Sequence, residues 1–280
     1  MKLVATDIDG TILPHRGRIS ARTADTLRAA ADAGVHVVLV TARPPRWMRP
    51  IADALGHTGE AIVANGAAVM NLDTEAVHTQ TTISADALLA TAEVLRRELP
   101  GVKLAVESAR GMSAETGGLR HRADFAPAEE GDFAELEAVR GGEALKLLAR
   151  APGNGGADAM VARVLPLLDG IVDPSHSAVD DSLLEFSPAG VSKASALAAY
   201  ADALGLTRDD VVAFGDAPND IPMLEWAGTS YAVAGAHPDA TAAAGREAPS
   251  ASDDGVAQVI AELLGLEPQV VGESGRPSGA

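Results

Sequence analysis

Two aspartates separated by a single residue follow the first apolar segment of the chain. Residues 3–5 form a short hydrophobic run, and Asp7 and Asp9 come directly after it. In an open parallel sheet, ligands bind at the carboxyl ends of the strands, which is where these carboxylates would lie. Two carboxylates at that place can share a hard cation, and Gly10 lets the backbone turn away. A surface turn carrying two solvated acids is the competing interpretation of this motif alone.

A hydroxyl and an ammonium group occupy comparable positions further along the chain. Thr41 follows the apolar run 35–40, where its hydroxyl and nearby backbone N–H groups could hold a phosphate. A helix N-cap is the commoner role of such a threonine. Lys193 lies in the first turn of a predicted helix, which is unfavourable for a cation unless it reaches an anion. A solvated lysine whose stem follows the helix is the alternative.

A second pair of acids follows the apolar run 211–214. Asp216 and Asp220 lie on a tight turn and could converge on one ion. Mg²⁺ binds few protein carboxylates and retains several water molecules, so a small number of acids is sufficient. A turn followed by a helix cap is the alternative, because Asn and Asp both favour such positions.

The elements that must position these residues follow an α/β order. Short apolar runs alternate with segments of helical periodicity, and the predicted strands are 3–5, 35–40, 61–64, 211–214 and 231–233. The predicted helices between and after them are 21–33, 46–55, 192–204, 220–227 and 255–264. This alternation predicts a doubly wound, Rossmann-like parallel sheet whose carboxyl edge collects the polar residues described above.

The middle of the chain has a different pattern, which predicts an inserted α+β unit. After a predicted hairpin at 69–77, helices are expected at 84–98 and 157–168, and strands at 102–106, 144–149 and 183–186. The segment 110–131, rich in Gly, Arg and acids, is predicted to be a loop. The expected organisation is a core formed by 1–79 and 187–266, a cap formed by 80–186, and a disordered tail at 267–280.

Composition and charge exclude several classes of function. The chain of 280 residues contains 22 Lys and Arg against 39 Asp and Glu, a formal net charge of -17. This acidity, together with only 3% aromatic residues, disfavours nucleic-acid and anionic-lipid partners. The absence of cysteine excludes disulfides, thiolate metal sites and a cysteine nucleophile. No secretory signal or membrane span is predicted, so a cytoplasmic location is expected. The expected oligomeric state is a monomer or a homodimer.

Together the motifs resemble those of the haloacid dehalogenase (HAD) superfamily, and specifically its Cof-type phosphatases. The resemblance rests on four motifs that occur in order, namely Asp7-Ile8-Asp9-Gly10-Thr11, Val40-Thr41-Ala42-Arg43, the segment 187–193 that ends in Lys193, and the segment 215–224. The segments 64–67 and 254–257 are further marks of this branch. The likeness extends from residue 1 to about residue 264, and Ala217 departs from it by standing where the branch often has glycine.

The resemblance implies a phosphatase that forms a covalent aspartyl-phosphate. Asp7 would be the nucleophile, and Asp9 would protonate the leaving alcohol and then activate water. Thr41 would hold a phosphoryl oxygen, and Lys193 would offset the negative charge of nucleophile and phosphate. The implied substrate is a small phosphorylated metabolite, of which a sugar phosphate is one example.

The resemblance also implies a Mg²⁺ cofactor and a substrate-reading cap. The implied metal ligands are Asp7, the backbone carbonyl of Asp9, Asp216 and, directly or through water, Asp220. Further candidates for contact with the substrate are Arg43, Asn65 and Asn219. Basic residues of the inserted unit that could touch a polar leaving group are Arg110, Arg120, His121, Arg122 and Lys146, although each alone is more typical of a solvated surface charge.

Two other functions would use the same residues differently. A phosphomutase would transfer the phosphoryl group from Asp7 to a sugar rather than to water, and the position of the insert after the second motif argues against it. A non-catalytic phosphate-binding module on a decayed site is the other alternative. Decay should remove the acids first, and all of the motif acids, the hydroxyl and the lysine are present.

Overall fold

Two β-sheets account for the strands of the described residues. The computed structural model describes residues 1–56, 59–119, 127–176 and 182–266. The strands in chain order are β1 (Leu3–Thr6), β2 (His36–Val40), β3 (Glu60–Val63), β4 (Ala68–Asn71), β5 (Val77–Gln80), β6 (Lys103–Ser108), β7 (Gly111–Glu115), β8 (Glu129–Gly131), β9 (Lys146–Arg150), β10 (Val172–Ser175), β11 (Leu183–Pro188), β12 (Val211–Gly215), β13 (Thr229–Val233) and β14 (Arg246–Ala248).

The larger sheet has the order β14-β13-β12-β1-β2-β3-β4-β5. Pairing is parallel from β14 to β3, while β4 and β5 continue the sheet as an antiparallel hairpin. The central strand β1 lies between β2 and β12, so that Leu3 faces His36 on one side and Val211 on the other. This arrangement confirms the predicted doubly wound parallel sheet.

Helices cover both faces of this sheet. The helices in chain order are α1 (Ala21–Asp32), α2 (Arg49–Leu55), α3 (Ala85–Glu98), α4 (Glu137–Arg140), α5 (Ala157–Leu168), α6 (Lys193–Ala203), α7 (Ile221–Trp226), α8 (Pro238–Ala243) and α9 (Gly255–Leu264). Side chains alternate across β1, so Val4 packs in the cluster that contains Leu27 of α1, whereas Leu3 packs in the cluster that contains Leu197 of α6. A strand buried on both faces needs a continuous apolar run, which is what β1 has.

The smaller sheet has the order β10-β11-β9-β6-β7-β8 and is antiparallel except for the β7–β8 pair. One face packs against α3 and α5, and Leu95, Met160 and Phe186 of β11 belong to one hydrophobic cluster there. The predicted loop at 110–131 is wrong for 111–115 and 129–131, which form β7 and β8. Only Met112 and Ala114 carry the alternation of β7, and this weak pattern is hidden among Gly, Ser and Glu.

Several predicted boundaries are corrected by the structure. The helix predicted at 46–55 is a 3₁₀ turn, Pro45–Trp47, followed by α2, and the helix predicted at 220–227 begins only at Ile221. Proline near the start of each helix favours this tighter entry. The short elements α4, α8, β10 and β14 are absent from the sequence prediction. The division into core and cap stays a prediction, and the tail 267–280 lies outside the described residues.

In the described parts of the chain, no helix has both the length and the apolar character that a membrane crossing requires.

Candidate active site

The first and fourth motifs lie side by side at the carboxyl edge of the larger sheet. Thr6, the last residue of β1, is paired with Phe214 of β12, so the residues that follow both strands emerge together. The backbone N–H of Asp7 continues this pairing by donating to the carbonyl of Phe214 at 3.0 Å. Asp7 and Asp216 are thereby held close together although they are far apart in the sequence.

Three carboxylates converge at this edge. Asp7, Asp216 and Asp220 each offer an oxygen, and these oxygens all lie within 4.8 Å of one another. Asp7 and Asp220 are buried, whereas Asp216 is partly exposed. Thr11 orients Asp216 by donating from its hydroxyl to Oδ1 at 2.8 Å. The acids predicted from the first and fourth motifs therefore form one cluster.

Lys193 connects two members of this acid cluster. Its Nζ lies 2.6 Å from Oδ1 of Asp7 and 2.5 Å from Oδ1 of Asp220, and its side chain is 1% exposed. The Ser192 hydroxyl accepts from the backbone N–H of Ser195 and caps α6, so the helix begins at Lys193 beside the cluster. The cation thus occupies an unfavourable helix end because it reaches two buried anions.

Burial and mutual repulsion disturb the protonation of the cluster. Burial raises the pKa of Asp7 well above its usual range, although Lys193 opposes that shift. Burial, assisted by the charge of Asp220, raises the pKa of Asp216 to about 6. Burial alone would lower the pKa of Lys193, but the carboxylates of Asp220 and Asp7 raise it above the ordinary lysine value overall. One ammonium does not balance three carboxylates, and the cluster would accept a further positive charge.

Asp220 builds the turn that carries Asp216. Its Oδ2 accepts from the backbone N–H groups of Asp216 and Ala217, each at 3.0 Å, while its Oδ1 accepts from Lys193. Both oxygens of Asp220 are therefore engaged within the protein. Ala217 has φ of -119°, a region open to any residue, so its departure from the family's glycine does not disturb this turn.

Glycine is required at position 10 for two independent reasons. Its φ is +88°, which L-residues rarely adopt, and a Cβ built there would lie 2.2 Å from Oδ2 of Asp216. The absence of a side chain at Gly10 therefore allows the two aspartate motifs to approach each other.

The second motif brings Thr41 and Arg43 to the same edge, beside Asp9. Thr41 is buried directly after β2, and its Oγ1 accepts from the backbone N–H of Arg43 at 3.1 Å. Arg43 pairs with Asp9 through two hydrogen bonds of 2.7 Å. The predicted contact of Arg43 with the substrate is untested. In this structure its guanidinium binds the carboxylate of Asp9, the residue predicted to act as acid and base.

Asn65 and Asn219 meet each other rather than standing free at the site. Asn219 Nδ2 donates to Oδ1 of Asn65 at 2.9 Å, and Asn65 Nδ2 donates to Glu185 of β11 at 2.7 Å. Oδ1 of Asn219 is buried and, among the described residues, has no hydrogen-bond partner. Asn219 therefore retains an acceptor at the site, whereas both ends of the Asn65 amide are engaged.

The smaller sheet reaches the site through charges that the sequence analysis mostly missed. Lys146 of β9 donates to the carbonyl of Ala42 at 2.8 Å and pairs with Glu185 at 3.0 Å. Glu107 of β6, 1% exposed, pairs with Arg46 at 2.6 Å. Neither acid belongs to one of the four motifs. Glu185 lies inside a predicted strand and Glu107 directly follows one, which is their only sequence signal.

Of the other basic candidates of the inserted unit, only Arg110 lies among the described residues, and it is not part of the site. Arg110 is exposed and pairs with Glu137 and Glu143. Arg120, His121 and Arg122 lie outside the described residues.

Comparison with known proteins gives one family and one fold. Residues 4–260 match the haloacid dehalogenase-like hydrolase family. A phosphoglycolate phosphatase of Halorubrum lacusprofundi is 30% identical over 262 residues, which cover 93% of this chain and 96% of the relative. The 5-amino-6-(5-phospho-D-ribitylamino)uracil phosphatase YcsE of Bacillus subtilis is 26% identical over 279 residues, which cover 93% and 94% of the two chains.

A solved structure agrees with the fold. BT1666 of Bacteroides thetaiotaomicron, a phosphatase of the HAD superfamily, superposes with a TM-score of 0.78 at 24% identity and covers 95% of this chain and 96% of its own. The family match spans nearly the whole described chain and includes all four sequence motifs. The chain therefore belongs to the haloacid dehalogenase-like hydrolases.

Proposed function

We propose that this hydrolase is a Mg²⁺-dependent phosphomonoesterase that cleaves a small phosphorylated metabolite through an aspartyl-phosphate on Asp7. The observation that carries the proposal is the position of the Asp7 carboxylate. It is buried, it lies 2.6 Å from the Lys193 ammonium, and it shares a cluster with Asp216 at the carboxyl edge of the sheet. An anionic nucleophile needs such compensation to approach an anionic phosphate.

The residues present fit a hard divalent cation. The donors are carboxylate oxygens, which Mg²⁺ prefers. Burial, and then the negative charge of Asp220, raises the pKa of Asp216, and a bound cation would oppose both effects. Oδ1 of Asn219, which has no hydrogen-bond partner among the described residues, could accept from a water molecule bound to the ion. Asp7, Asp216 and the backbone carbonyl of Asp9 would hold Mg²⁺, with Asp220 supporting the turn. When bound, the ion would offset the charge that gathers on the transferred phosphoryl group.

The proposed reaction consists of two displacements at phosphorus, in which Asp7 is the nucleophile and Asp9 is the acid and then the base. In the first, an Asp7 oxygen bonds to phosphorus as the ester P–O bond breaks, and Asp9 gives its proton to the leaving oxygen. In the second, Asp9 takes a proton from water as the water oxygen bonds to phosphorus and the Asp7–phosphorus bond breaks. Inorganic phosphate leaves, and both carboxyl groups return to their starting protonation. Half of the Asp9 side chain is exposed, which gives it access to the leaving group and to water.

Thr41 and Lys193 would stabilise the transferred group. The Thr41 hydroxyl accepts from a backbone N–H and so keeps its own proton available for a phosphoryl oxygen. Lys193 already contacts Asp7 and remains charged, because two carboxylates raise its pKa. Preorganised donors of this kind stabilise developing charge without rearrangement during the reaction.

The substrate class is supported by the relatives and by charge. The two relatives described above are named for phosphoglycolate and for a ribitylamino-uracil phosphate, both small phosphorylated compounds. The net charge of -17 opposes binding of a polyanionic macromolecule. A sugar phosphate or a molecule of similar size satisfies both conditions.

Hydrolysis of p-nitrophenyl phosphate, with Mg²⁺ or with EDTA, tests the proposal. The wild-type enzyme should release phosphate only with Mg²⁺, and Asp7→Asn should abolish release while keeping the fold. Asp32→Asn, at an exposed position on α1, is the matched control and should retain activity. Acid-quenched mass spectrometry should find one phosphoryl group on the wild-type peptide that contains Asp7. Full activity in Asp7→Asn, or a phosphoryl group on another residue, would exclude Asp7 as the nucleophile.

A further inference from the structure

The smaller sheet carries a buried ion pair at its contact with the active-site loops. Lys146 of β9 and Glu185 of β11 lie on neighbouring strands, with Nζ and Oε1 3.0 Å apart. Their side chains are only 4% and 7% exposed. Removing two charges from water is costly, and Coulomb attraction compensates only when further hydrogen bonds satisfy both groups. Those further bonds are therefore an essential part of this arrangement.

Both partners find these bonds outside their own sheet. Lys146 Nζ donates to the carbonyl of Ala42, the residue after Thr41, at 2.8 Å. Glu185 Oε2 accepts from Asn65 Nδ2 at 2.7 Å. Lys146 is therefore bonded to the loop that follows β2, and Glu185 to the loop that follows β3. Both loops lie at the carboxyl edge of the larger sheet, where the site is.

The two loops are also joined to each other. The backbone N–H of Asn65 donates to the carbonyl of Thr41 at 3.0 Å, and the N–H of Ala64 donates to the carbonyl of Arg43 at 2.9 Å. Ala64 and Asn65 have φ of 51° and 58°, a conformation that non-glycine residues adopt only where surrounding bonds hold it. A change at Glu185 would reach Thr41 through this rigid turn.

The chain of contacts continues to the fourth motif. Asn65 Oδ1 accepts from Asn219 Nδ2, and Asn219 lies in the turn between Asp216 and Asp220. Glu185, Asn65 and Asn219 are all buried, and breaking a buried hydrogen bond of this kind is costly. The path runs from Glu185 through Asn65 to Asn219.

We propose that Glu185 and Lys146 are positioning residues, which set the phosphate-holding loop at Thr41 and the metal-binding turn at Asp216 through Asn65 and Asn219. The inference rests on the proposed function of these two loops. Contact between the smaller sheet and the loops buries the ion pair, and only correctly placed loops satisfy it. The conformation of the two loops and the packing of the smaller sheet against them therefore depend on each other.

Glu185→Gln is the most direct probe of this coupling. Glutamine offers one acceptor and one donor, whereas Lys146 and Asn65 both donate to position 185. We expect kcat for p-nitrophenyl phosphate to fall by about tenfold or more, because small misplacements of catalytic groups are costly. KM should stay close to the wild-type value, since the Glu185 carboxylate is buried and engaged by Lys146 and Asn65. Glu135→Gln, at an exposed acid, is the matched control and should change neither constant.

The double variant Asn65→Ala/Glu185→Gln separates positioning from general destabilisation. If Glu185 acts through Asn65, kcat of the double variant should agree with that of the more impaired single variant within about twofold. Independent structural damage would instead multiply the two losses. A folded Glu185→Gln enzyme with wild-type kcat, or multiplicative losses in the double variant, would overturn the proposal.

Amide hydrogen exchange tests the coupling without turnover, so that it remains testable if the wild-type chain releases no phosphate and the proposed function fails. Glu185→Gln should accelerate exchange at the N–H groups of Asn65, Asp216 and Ala217, which are bonded within the two loops. Glu135→Gln should leave them unchanged. Unaltered exchange at all three amides in Glu185→Gln would overturn the inference even in an active enzyme.

Discussion

Arg43 donates two hydrogen bonds to the carboxylate of Asp9, from Nε to Oδ2 and from Nη2 to Oδ1, each 2.7 Å long. A bidentate pair of this kind belongs to the ionised carboxylate, which only accepts. In the proposed mechanism, Asp9 must carry a proton and turn an oxygen toward the leaving group when it acts as an acid. The pair therefore describes the enzyme before the substrate arrives, and binding must loosen at least one of the two bonds.

Asp9→Asn should lower kcat by about a hundredfold or more, which is the usual contribution of a positioned acid and base. The loss should be larger for an alkyl phosphate than for p-nitrophenyl phosphate, because nitrophenolate leaves without being protonated. Steady-state kinetics on both esters measure this difference. Equal losses on the two esters would contradict protonation of the leaving group by Asp9.

Lys193→Met should destabilise the fold as well as abolish activity. The substitution leaves Asp7 and Asp220 buried without their shared cation, and breaking such a pair costs about 3 kcal/mol or more. Urea unfolding at neutral pH measures the change. Lys103→Met, at the exposed first residue of β6, should shift the free energy of unfolding by about 0.5 kcal/mol at most. A loss at Lys193 no larger than this control would show that the charges are not coupled.

Gly10→Ala and Gly34→Ala form a matched pair of backbone probes. Their φ values are +88° and +83°, so both variants should lose about 1 kcal/mol of stability from the left-handed conformation. At Gly10 the new methyl group would meet Asp216, whereas at Gly34, chain neighbours aside, no atom of the described residues lies within 4 Å of the Cβ position. We therefore expect Gly10→Ala alone to lose phosphatase activity. Equal activity in the two variants would contradict the close approach of the two aspartate motifs.

Stabilisation by Mg²⁺ should depend on pH in a defined direction. The pKa of Asp216 is raised from 3.8 to about 6, so its contribution to stability is fully present below about pH 3.8 and is lost as the pH rises through about 6. A cation binds the ionised form and restores that loss, so its affinity should be roughly tenfold weaker at about pH 5 than at about pH 7.5. Thermal unfolding with and without Mg²⁺ at both pH values measures this effect.

Asp216→Asn is the control for the pH effect. It removes the titrating carboxylate, so the stabilisation by Mg²⁺ should be small at both pH values. A wild-type stabilisation that is the same at both pH values would show that no carboxylate of the cluster titrates in this range.

Local sequence patterns predicted most of the larger sheet. Apolar runs as long as a buried strand, each followed by polar residues, identified β1, β2, β3 and β12, and Ser20 and Gly34 marked the limits of α1. The same logic failed for the short strands β7 and β10, because their alternation involves few apolar residues. Such strands depend on pairing with neighbours, and pairing partners are not encoded locally.

The residues of the candidate site also fall into those that local patterns predict and those whose contacts depend on the packed fold. Asp7, Asp9, Thr41, Lys193 and Asp216 each occupy the end of a strand or the start of a helix, and parallel pairing brings such positions to one edge. Arg43 and Asn65 were expected near the substrate, yet their contacts with Asp9 and Glu185 could not be foreseen. A side chain at a strand end can point to several neighbours, and only the packed fold selects one.

The sequence by itself determined the doubly wound core, the order of the four motifs and the chemical groups available to them, because these depend on local periodicity and residue type. Only the tertiary structure decided that Lys193 joins Asp7 to Asp220, and that Glu185 and Lys146 reach the loops of the candidate active site from a second sheet. These contacts join residues far apart in the chain. Their geometry follows from strand register and from the need to satisfy every buried charge, which are properties of the whole fold.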